Sequence, residues 1–208
     1  MSRGRPREFD TDLALDHALA VFERDGFESA SVQTLADAMG ICKPSLYAAY
    51  GNKEALFIEA LSRYAARCNA RRAALLDAEP DGRRAVEALL IDAVLSFTAC
   101  NSAGGCLIVA QTGGASPDTQ SIAMRDALAE AMKDARVLLS ARLERARCDG
   151  DLPCATDITT LAAYFATVIA GLSVLARNGG TRDALTAVVT TAMGAWPGPH
   201  EYLRSHQS

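Results

Sequence analysis

Between Gly40 and Asn52 the chain reads GICKPSLYAAYGN, so that Cys42, Lys43, Ser45 and Tyr47 fall within one six-residue run. A cation, a hydroxyl and an aromatic side chain on one short element are groups suited to nucleic acid. Asn52 and Lys53 then open the next helix, where free backbone amides and the positive end of the helix dipole suit a phosphate. Gly40 and Gly51 bracket a helix too short to be stable alone, because isolated helices below roughly 12 residues are marginal in water. Neighbours must hold it, with Leu46 as its inward anchor, and its outer positions are left to touch something else.

Cysteine chemistry is the second candidate. Cys42, Cys68, Cys100, Cys106, Cys148 and Cys154 form no CxxC pair, and no His stands at metal-finger spacing from them. With no secretory leader in the sequence, reduced thiols in a cytoplasm are the default. Cys106 follows Gly104-Gly105 at an expected helix start, where the dipole lowers a thiol pKa and favours reaction with oxidants or electrophiles. Cys100 lies six residues earlier and would resolve it. The competing reading makes Cys106 a small buried hydrophobe. Cys148 and Cys154 flank one loop and would pair if oxidised. The irregular cysteine spacing speaks against a copper(I) or zinc thiolate site, and no metal is expected. His17, His200 and His206 lie far from any Ser or Asp set, and no phosphate-cradling loop follows a strand, so neither an enzyme nor a cofactor is expected.

These residues need helices to position them. The chain has 208 residues, is half hydrophobic and carries a net charge of −4, with a pI near 5.4. Residues 1–64 hold 7 Lys+Arg against 10 Asp+Glu, so neither half is basic and any nucleic-acid contact must be local. The exception is the N-terminal arm, with Arg3, Arg5 and Arg7 and no acid before Glu8. Asp10 caps a first helix that stops at Asp25-Gly26, and Ser31 caps a second that stops at Gly40. Pro44 is tolerated in the first turn of the third. Asn52 caps a long helix with Phe57, Ala60, Leu61, Tyr64 and Cys68 on one face. Longer helices follow at about 83–100, 105–113, 118–147, 156–177 and 182–195, with Leu128, Met132, Ala135 and Leu139 as the stripe of the third of these. Ile158 to Ala176 is uncharged for 19 residues, long enough to span a bilayer. Its Thr, Ser and Tyr content and the lack of a second span favour a helix buried on two sides, and no membrane partner is expected. The fold class is all-α.

Helix, glycine turn, short helix over residues 31–50 is a helix-turn-helix, whose second helix presents its N-terminal residues to base edges in the major groove. The match extends further. Gly26-Phe27, Ser31-Val32, Leu35-Ala36, Gly40-Ile41, Pro44-Ser45-Leu46-Tyr47 and Asn52-Lys53-Glu54-Ala55-Leu56-Phe57 strongly resemble the TetR family of bacterial transcriptional repressors. The resemblance is specific over residues 8–60 and looser beyond, through GlyAspLeuPro at 150–153 and GlyLeuSerValLeuAlaArgAsnGly at 171–179.

That resemblance implies a dimeric, ligand-responsive, nine-helix repressor. A helix-turn-helix domain over 1–55 would join a larger sensing and dimerisation domain over 56–208. It implies that Ser31 and Thr34 hold the bracing helix against the DNA backbone and that Lys43 and Ser45 meet bases or phosphates. Tyr47 would contact the backbone or a thymine methyl, Lys53 a phosphate, and the Arg3/Arg5/Arg7 arm the minor groove or nearby phosphates. Tyr50 and Cys42 complete the DNA-facing set. Ala49 departs from the family, which often has His, Tyr or Phe touching phosphate there, and Cys42 stands where a small hydroxyl residue is usual. A palindromic double-stranded operator is the expected partner.

Helices 156–177 and 182–195 would pair across a homodimer as four helices. Leu161, Phe165, Val168, Leu172 and Leu175 form one stripe and Ala162, Ala166 and Ala170 a smoother one. An unknown small-molecule inducer would lie among Phe97, Cys100, Cys106, Gln111, Met124, Leu128, Tyr164 and Phe165, each of which also suits plain core. The GlyCysLeu at 105–107 resembles a subgroup in which the cysteine opens the sixth helix. Two rivals remain open at this point. One is a cysteine-based redox or electrophile sensor, or a thiol-dependent helical enzyme, using Cys100 and Cys106. The other is a helical binding module that never touches DNA.

Overall fold

The structure is a computed structural model and describes residues 10–99, 104–114 and 120–198. Among them every regular element is helical: α1 Thr11–Ser29, α2 Val32–Met39, α3 Lys43–Tyr50, α4 Lys53–Ala78, α5 Gly82–Phe97, α6 Leu107–Gly114, α7 Ile122–Asp149, α8 Ile158–Arg177 and α9 Arg182–Ala192, with a 3-10 turn at Met193–Ala195.

The boundaries follow from local chemistry. Asp10, Ser31, Asn52, Asp81, Ser121, Asp157 and Thr181 each precede a helix and accept a backbone N–H of its first turn through the side chain. Each such cap is worth about 1 kcal/mol. Cys42, ahead of α3, makes no such bond, and Pro44 supplies a preset φ instead. Gly40 ends α2 in the left-handed region at φ 68°, and its neighbour Ile41 donates to the Ala36 carbonyl oxygen at 3.0 Å. That pair of features turns the chain sharply enough to start α3 two residues later.

The first helix breaks at Gly26, as expected. The backbone there is non-helical at φ 76°, ψ 170°, and a further turn continues to Ser29. Two expectations need correction. Helix α7 begins at Ile122 rather than 118, because Ser121 is the residue that satisfies its first amides. Its buried face also differs: Met132 is 45 % exposed, while Met124, Leu128, Ala131, Leu139, Leu143 and Ala146 face the core. The stripe is displaced because α7 lies across both α4 and α5 along its 28 residues.

Helix α4 is the shared beam. Phe57 packs edge-on against Phe22 and Phe27, whose own rings are stacked, where α1 meets α4. Leu35, Leu46 and Leu56 close that core from α2, α3 and α4. Further along, α4 packs on α5 and α7, and the buried side chains run continuously into Leu90, Met124, Leu128, Leu143 and Phe165. Fully burying each of these large apolar side chains contributes about 1.5–3 kcal/mol.

Arg142 of α7, 3 % exposed, secures the far end of α4. Its Nε donates to the Leu76 carbonyl oxygen at 3.0 Å, and its Nη2 to those of Glu79 and Pro80 at 3.0 and 2.9 Å. A guanidinium fork thus occupies carbonyls that the helix end leaves without intrahelical donors.

Helix α8 is long and apolar enough to cross a membrane by length and composition. One side of it packs on α5, α7 and α9. On the other side Val174 and Leu175 are 50 % and 46 % exposed, and Val188 of α9 is 39 % exposed. Leu175 therefore leaves the stripe expected for it, because the packed face of α8 runs from Leu172 and Ser173 to Ala176 instead.

Candidate nucleic-acid interface and effector cleft

Helix α3 is held by one deeply buried side chain, Leu46, and by Tyr50 at 8 % exposure. The outer surface carries Cys42, Lys43, Pro44 and Tyr47, with Tyr47 47 % exposed, and Ser45 half-buried. The structure therefore brings Lys43, Ser45 and Tyr47 to one exposed element, and turns Tyr50 inward at the helix end. The Cys42 Sγ lies 3.1 Å from the Ser45 Oγ. Hydrogen bonding from the Ser45 side chain and backbone lowers the Cys42 thiol pKa from its ordinary value.

Helix α2 braces α3. The exposed Ser31 Oγ accepts from the Thr34 amide at 3.0 Å and lies 2.8 Å from the Thr34 Oγ1. Both hydroxyls are engaged in the cap and stand at the N-terminal edge of the brace. Lys53 opens α4, and its Nζ donates to the Glu28 carbonyl oxygen at 3.2 Å while sitting 4.5 Å from the Phe27 ring centre. It ties α4 to the last turn of α1. Its neighbour Glu54 accepts from the Ser121 hydroxyl at 2.7 Å, joining the first turn of α4 to the start of α7. Arg3, Arg5 and Arg7 lie outside the described residues.

A cation, a hydroxyl and an aromatic ring face outward from a helix of eight residues, braced by a capped helix and a left-handed glycine. This arrangement defines a helix-turn-helix DNA-binding regulator.

The larger half holds a cleft of about 750 Å³ between α1, α4, α5, the Gly104-Gly105 segment and α8. Its walls include Tyr64, Cys68, Leu89, Phe97 and Ile169. Among the described residues, Phe97 is the one expected ligand residue that lines it. Cys106 stands just behind, 4 % exposed, where the Tyr64 hydroxyl donates to its Sγ at 3.5 Å and its own amide donates to the Ser173 Oγ at 2.7 Å. Met124 and Leu128 are buried between α7 and its neighbours. Gln111 lies at the α6–α7 connection, its carbonyl oxygen accepting from Gln120 at 2.8 Å. Tyr164 and Phe165 pack on each other at 5.2 Å, Phe165 lies 6.3 Å from Trp196, and the Tyr164 hydroxyl donates to the Ala192 carbonyl oxygen at 3.3 Å. The structure thus separates them from the cleft, because that face of α8 is taken by the chain end after α9. Cys100 lies outside the described residues.

Gly105 explains the double glycine. Its φ is 74°, and a Cβ there would lie 2.5 Å from the Ser173 carbonyl oxygen. The backbone ahead of α6 presses directly on α8, which only glycine permits. Sequence reasoning missed Glu23, Arg72 and Arg177, which also line the cleft. Arg67, Arg71 and Arg72, at helical spacing beside Tyr64 and Cys68 on α4, were the available signal. Burial pushes the Cys68 thiol pKa up, with nearby Arg72 opposing. Cys148 and Cys154 are both exposed, one on each side of the 150–153 loop.

Comparison with known proteins places the chain. The model of bacterial regulatory proteins of the tetR family matches residues 14–60, and that of the tetracyclin repressor-like C-terminal domain matches residues 82–192. The chain is 35% identical over 200 residues to the HTH-type transcriptional repressor ComR of Escherichia coli (strain K12), covering 94% of this chain and 93% of that one. It is 30% identical over 190 residues to the HTH-type transcriptional repressor BdcR of the same organism, covering 91% and 90%. Among solved structures it resembles a cysteine-substituted variant of the TetR family transcriptional regulator CifR complexed with 26-base-pair double-strand operator DNA. The TM-score there is 0.85 at 43% identity, over 93% of this chain and all of that one. The chain belongs to the TetR family of bacterial transcriptional regulators.

Proposed function

We propose that this chain is a repressor that binds a palindromic double-stranded operator as a homodimer and releases it when a small molecule occupies the sensing half. The observation that carries the reading is α3, which shows Lys43, Ser45 and Tyr47 to solvent while Leu46 is fully buried. Lys53 and the Arg3/Arg5/Arg7 arm would add phosphate contacts. The CifR complex with operator DNA supports the same partner here. The protein would act in the cytoplasm, without a cofactor and without catalysis.

Residues 1–55 would form the reading unit and 56–208 the sensing and dimerisation unit, with α4 continuous through both. The exposed apolar residues Val174, Leu175 and Val188 on α8 and α9 support pairing of those helices across a dimer. Lys53 stands at one end of α4, and Tyr64 and Cys68 face the cleft along it. A shift of α4 would therefore change the spacing of the two reading heads. Such coupling typically amounts to about 1–3 kcal/mol.

A gel shift with the DNA flanking the protein's own gene, in excess competitor DNA, tests the reading. A discrete band that weakens with salt is the expected result, and binding no tighter than to competitor at any salt would overturn it. A second reading, cysteine sensing, has one observation in its favour: the Tyr64 hydroxyl joins α4 directly to the Cys106 sulfur. Adding peroxide or a thiol reagent to the same gel shift tests it, and loss of the band in wild type but not in Cys106→Ser is its signature.

A further inference from the structure

The cleft is unevenly charged. Arg24, Arg67, Arg71, Arg72 and Arg177 line it, against only Glu23 and Asp92. Three of the arginines are already committed: Arg24 to Asp25 at 2.7 Å, Arg67 to Asp16 at 2.9 Å, and Arg71 to Asp92. The other two are not. Arg72, half-buried on α4, donates to the neutral Asn69 side chain at 2.9 Å, and Arg177, at the end of α8, makes no ion pair among the described residues. Beside Arg177 the cleft meets a shallower groove that carries Arg182, whose Nε donates to the Thr98 hydroxyl at 3.2 Å. The remaining walls are apolar, chiefly Leu89, Phe97 and Ile169.

Resting on the reading of this chain as an effector-responsive regulator, we propose the chemical class of its effector. The cleft binds a small organic carboxylate with an apolar body, the carboxylate held by Arg72 and Arg177 and the body by Leu89, Phe97 and Ile169. A guanidinium fork matches a carboxylate in geometry, and charge-assisted bonds of this kind are about twice as strong as neutral ones. Arg72, half-buried against apolar walls, has lost part of its hydration, so an anion gains more beside it than in open water. A neutral ligand leaves both arginines without a partner, and a cationic one is repelled. The volume of about 750 Å³ lies within the range of small-molecule sites, about 300–1,000 Å³. Ala20 and Glu23 of α1, part of the reading unit, line the cleft together with residues of α5 and α8. An occupant therefore touches the reading unit and the sensing unit at once.

Isothermal titration of the purified full chain, without DNA, tests this. The probes are 4-phenylbutyrate, octanoate, 4-phenylbutyramide, 4-phenylbutylamine and inorganic phosphate. Saturable binding of the two carboxylates is expected, with the amide about tenfold weaker or more and the amine silent. Arg72→Gln and Arg177→Gln should each weaken carboxylate binding about tenfold, with unchanged thermal midpoints. Arg177 is exposed, so its variant stays informative if the Arg72 variant folds poorly. Four results would each overturn the proposal: no binding of either carboxylate at roughly 5 mM, amide binding equal to carboxylate binding, phosphate binding as tightly as the carboxylates, or both variants binding as wild type. Operator binding is read separately by gel shift. Carboxylate binding without operator binding would refute the regulator reading alone, and the reverse would refute only the ligand class.

Discussion

Lys53 donates to the carbonyl oxygen of Glu28 at 3.2 Å, twenty-five residues away in sequence, and lies over the Phe27 ring. One ammonium therefore closes the last turn of α1 and opens α4 at the surface where a phosphate would sit. An ammonium has three donors, so the carbonyl bond leaves two for a phosphate. Lys53→Met keeps the apolar stem over Phe27 and removes the charge. DNA affinity should fall about three- to tenfold, and the slope of log K against log salt should become shallower by about one. Fluorescence anisotropy across a salt series reads both. A fall in affinity with an unchanged slope would mean that Lys53 only braces α1.

Arg142 should be a stability residue. It is 3 % exposed and gives three hydrogen bonds to backbone carbonyls at the end of α4. Arg142→Met should lower unfolding free energy by about 2–4 kcal/mol in a urea titration, since it strips donors from buried carbonyls. Arg142→Lys should recover little, because an ammonium lacks the planar fork. A loss below about 0.5 kcal/mol would contradict this role.

Gly105→Ala combines strain with a clash. Its φ of 74° disfavours any side chain, and the new Cβ would press on the Ser173 carbonyl oxygen at 2.5 Å. A destabilisation of about 2 kcal/mol or more is expected by thermal or urea unfolding. Wild-type stability would show that α6 and α8 separate freely there.

Stability should depend on pH through Asp16. Arg63 binds it with two hydrogen bonds, at 2.9 and 3.1 Å, and Arg67 with a third. The Arg63 hydrogen bond holds the Asp16 carboxyl below its ordinary value, with Arg63 and Arg67 charge adding to it against desolvation. A lowered pKa in the folded state means that the contribution is fully present above the unfolded value, near 3.9, and disappears as pH falls below it. The pair is partly exposed, so the contribution is about 1 kcal/mol or less. Unfolding midpoints of wild type and Asp16→Asn should differ near neutrality and converge in acid. A constant gap across pH would assign the effect to packing.

Much of this architecture is written locally. Asp10, Ser31 and Asn52 cap helices because a short polar side chain satisfies a first-turn amide, and that chemistry is readable without the fold. Gly40 and the outward run Lys43, Ser45, Tyr47 were legible for the same reason, since Leu46 alone among them had to face inward. Tyr50 was harder, because its burial depends on how the end of α3 meets the rest of the core. The cleft was not legible. Tyr64 and Cys68 were read as one core face, whereas packing leaves a gap beside them. Of the expected ligand residues Tyr164 and Phe165, Phe165 packs on Trp196 and the partly exposed Tyr164 bonds the Ala192 carbonyl oxygen, away from the cleft. Arg72 and Arg177 are 105 residues apart in sequence, and only the α4–α8 arrangement brings them to one cavity.

The most direct test of α3 as the reading head is an anisotropy titration of the DNA flanking the protein's own gene, in competitor DNA, with wild type and Lys43→Ala/Tyr47→Ala. The expected result is salt-dependent specific binding by wild type and a loss of about 10–100-fold in the variant, with an unchanged melting temperature. Equal binding by the two proteins, with both folded, would contradict the assignment of α3 to DNA.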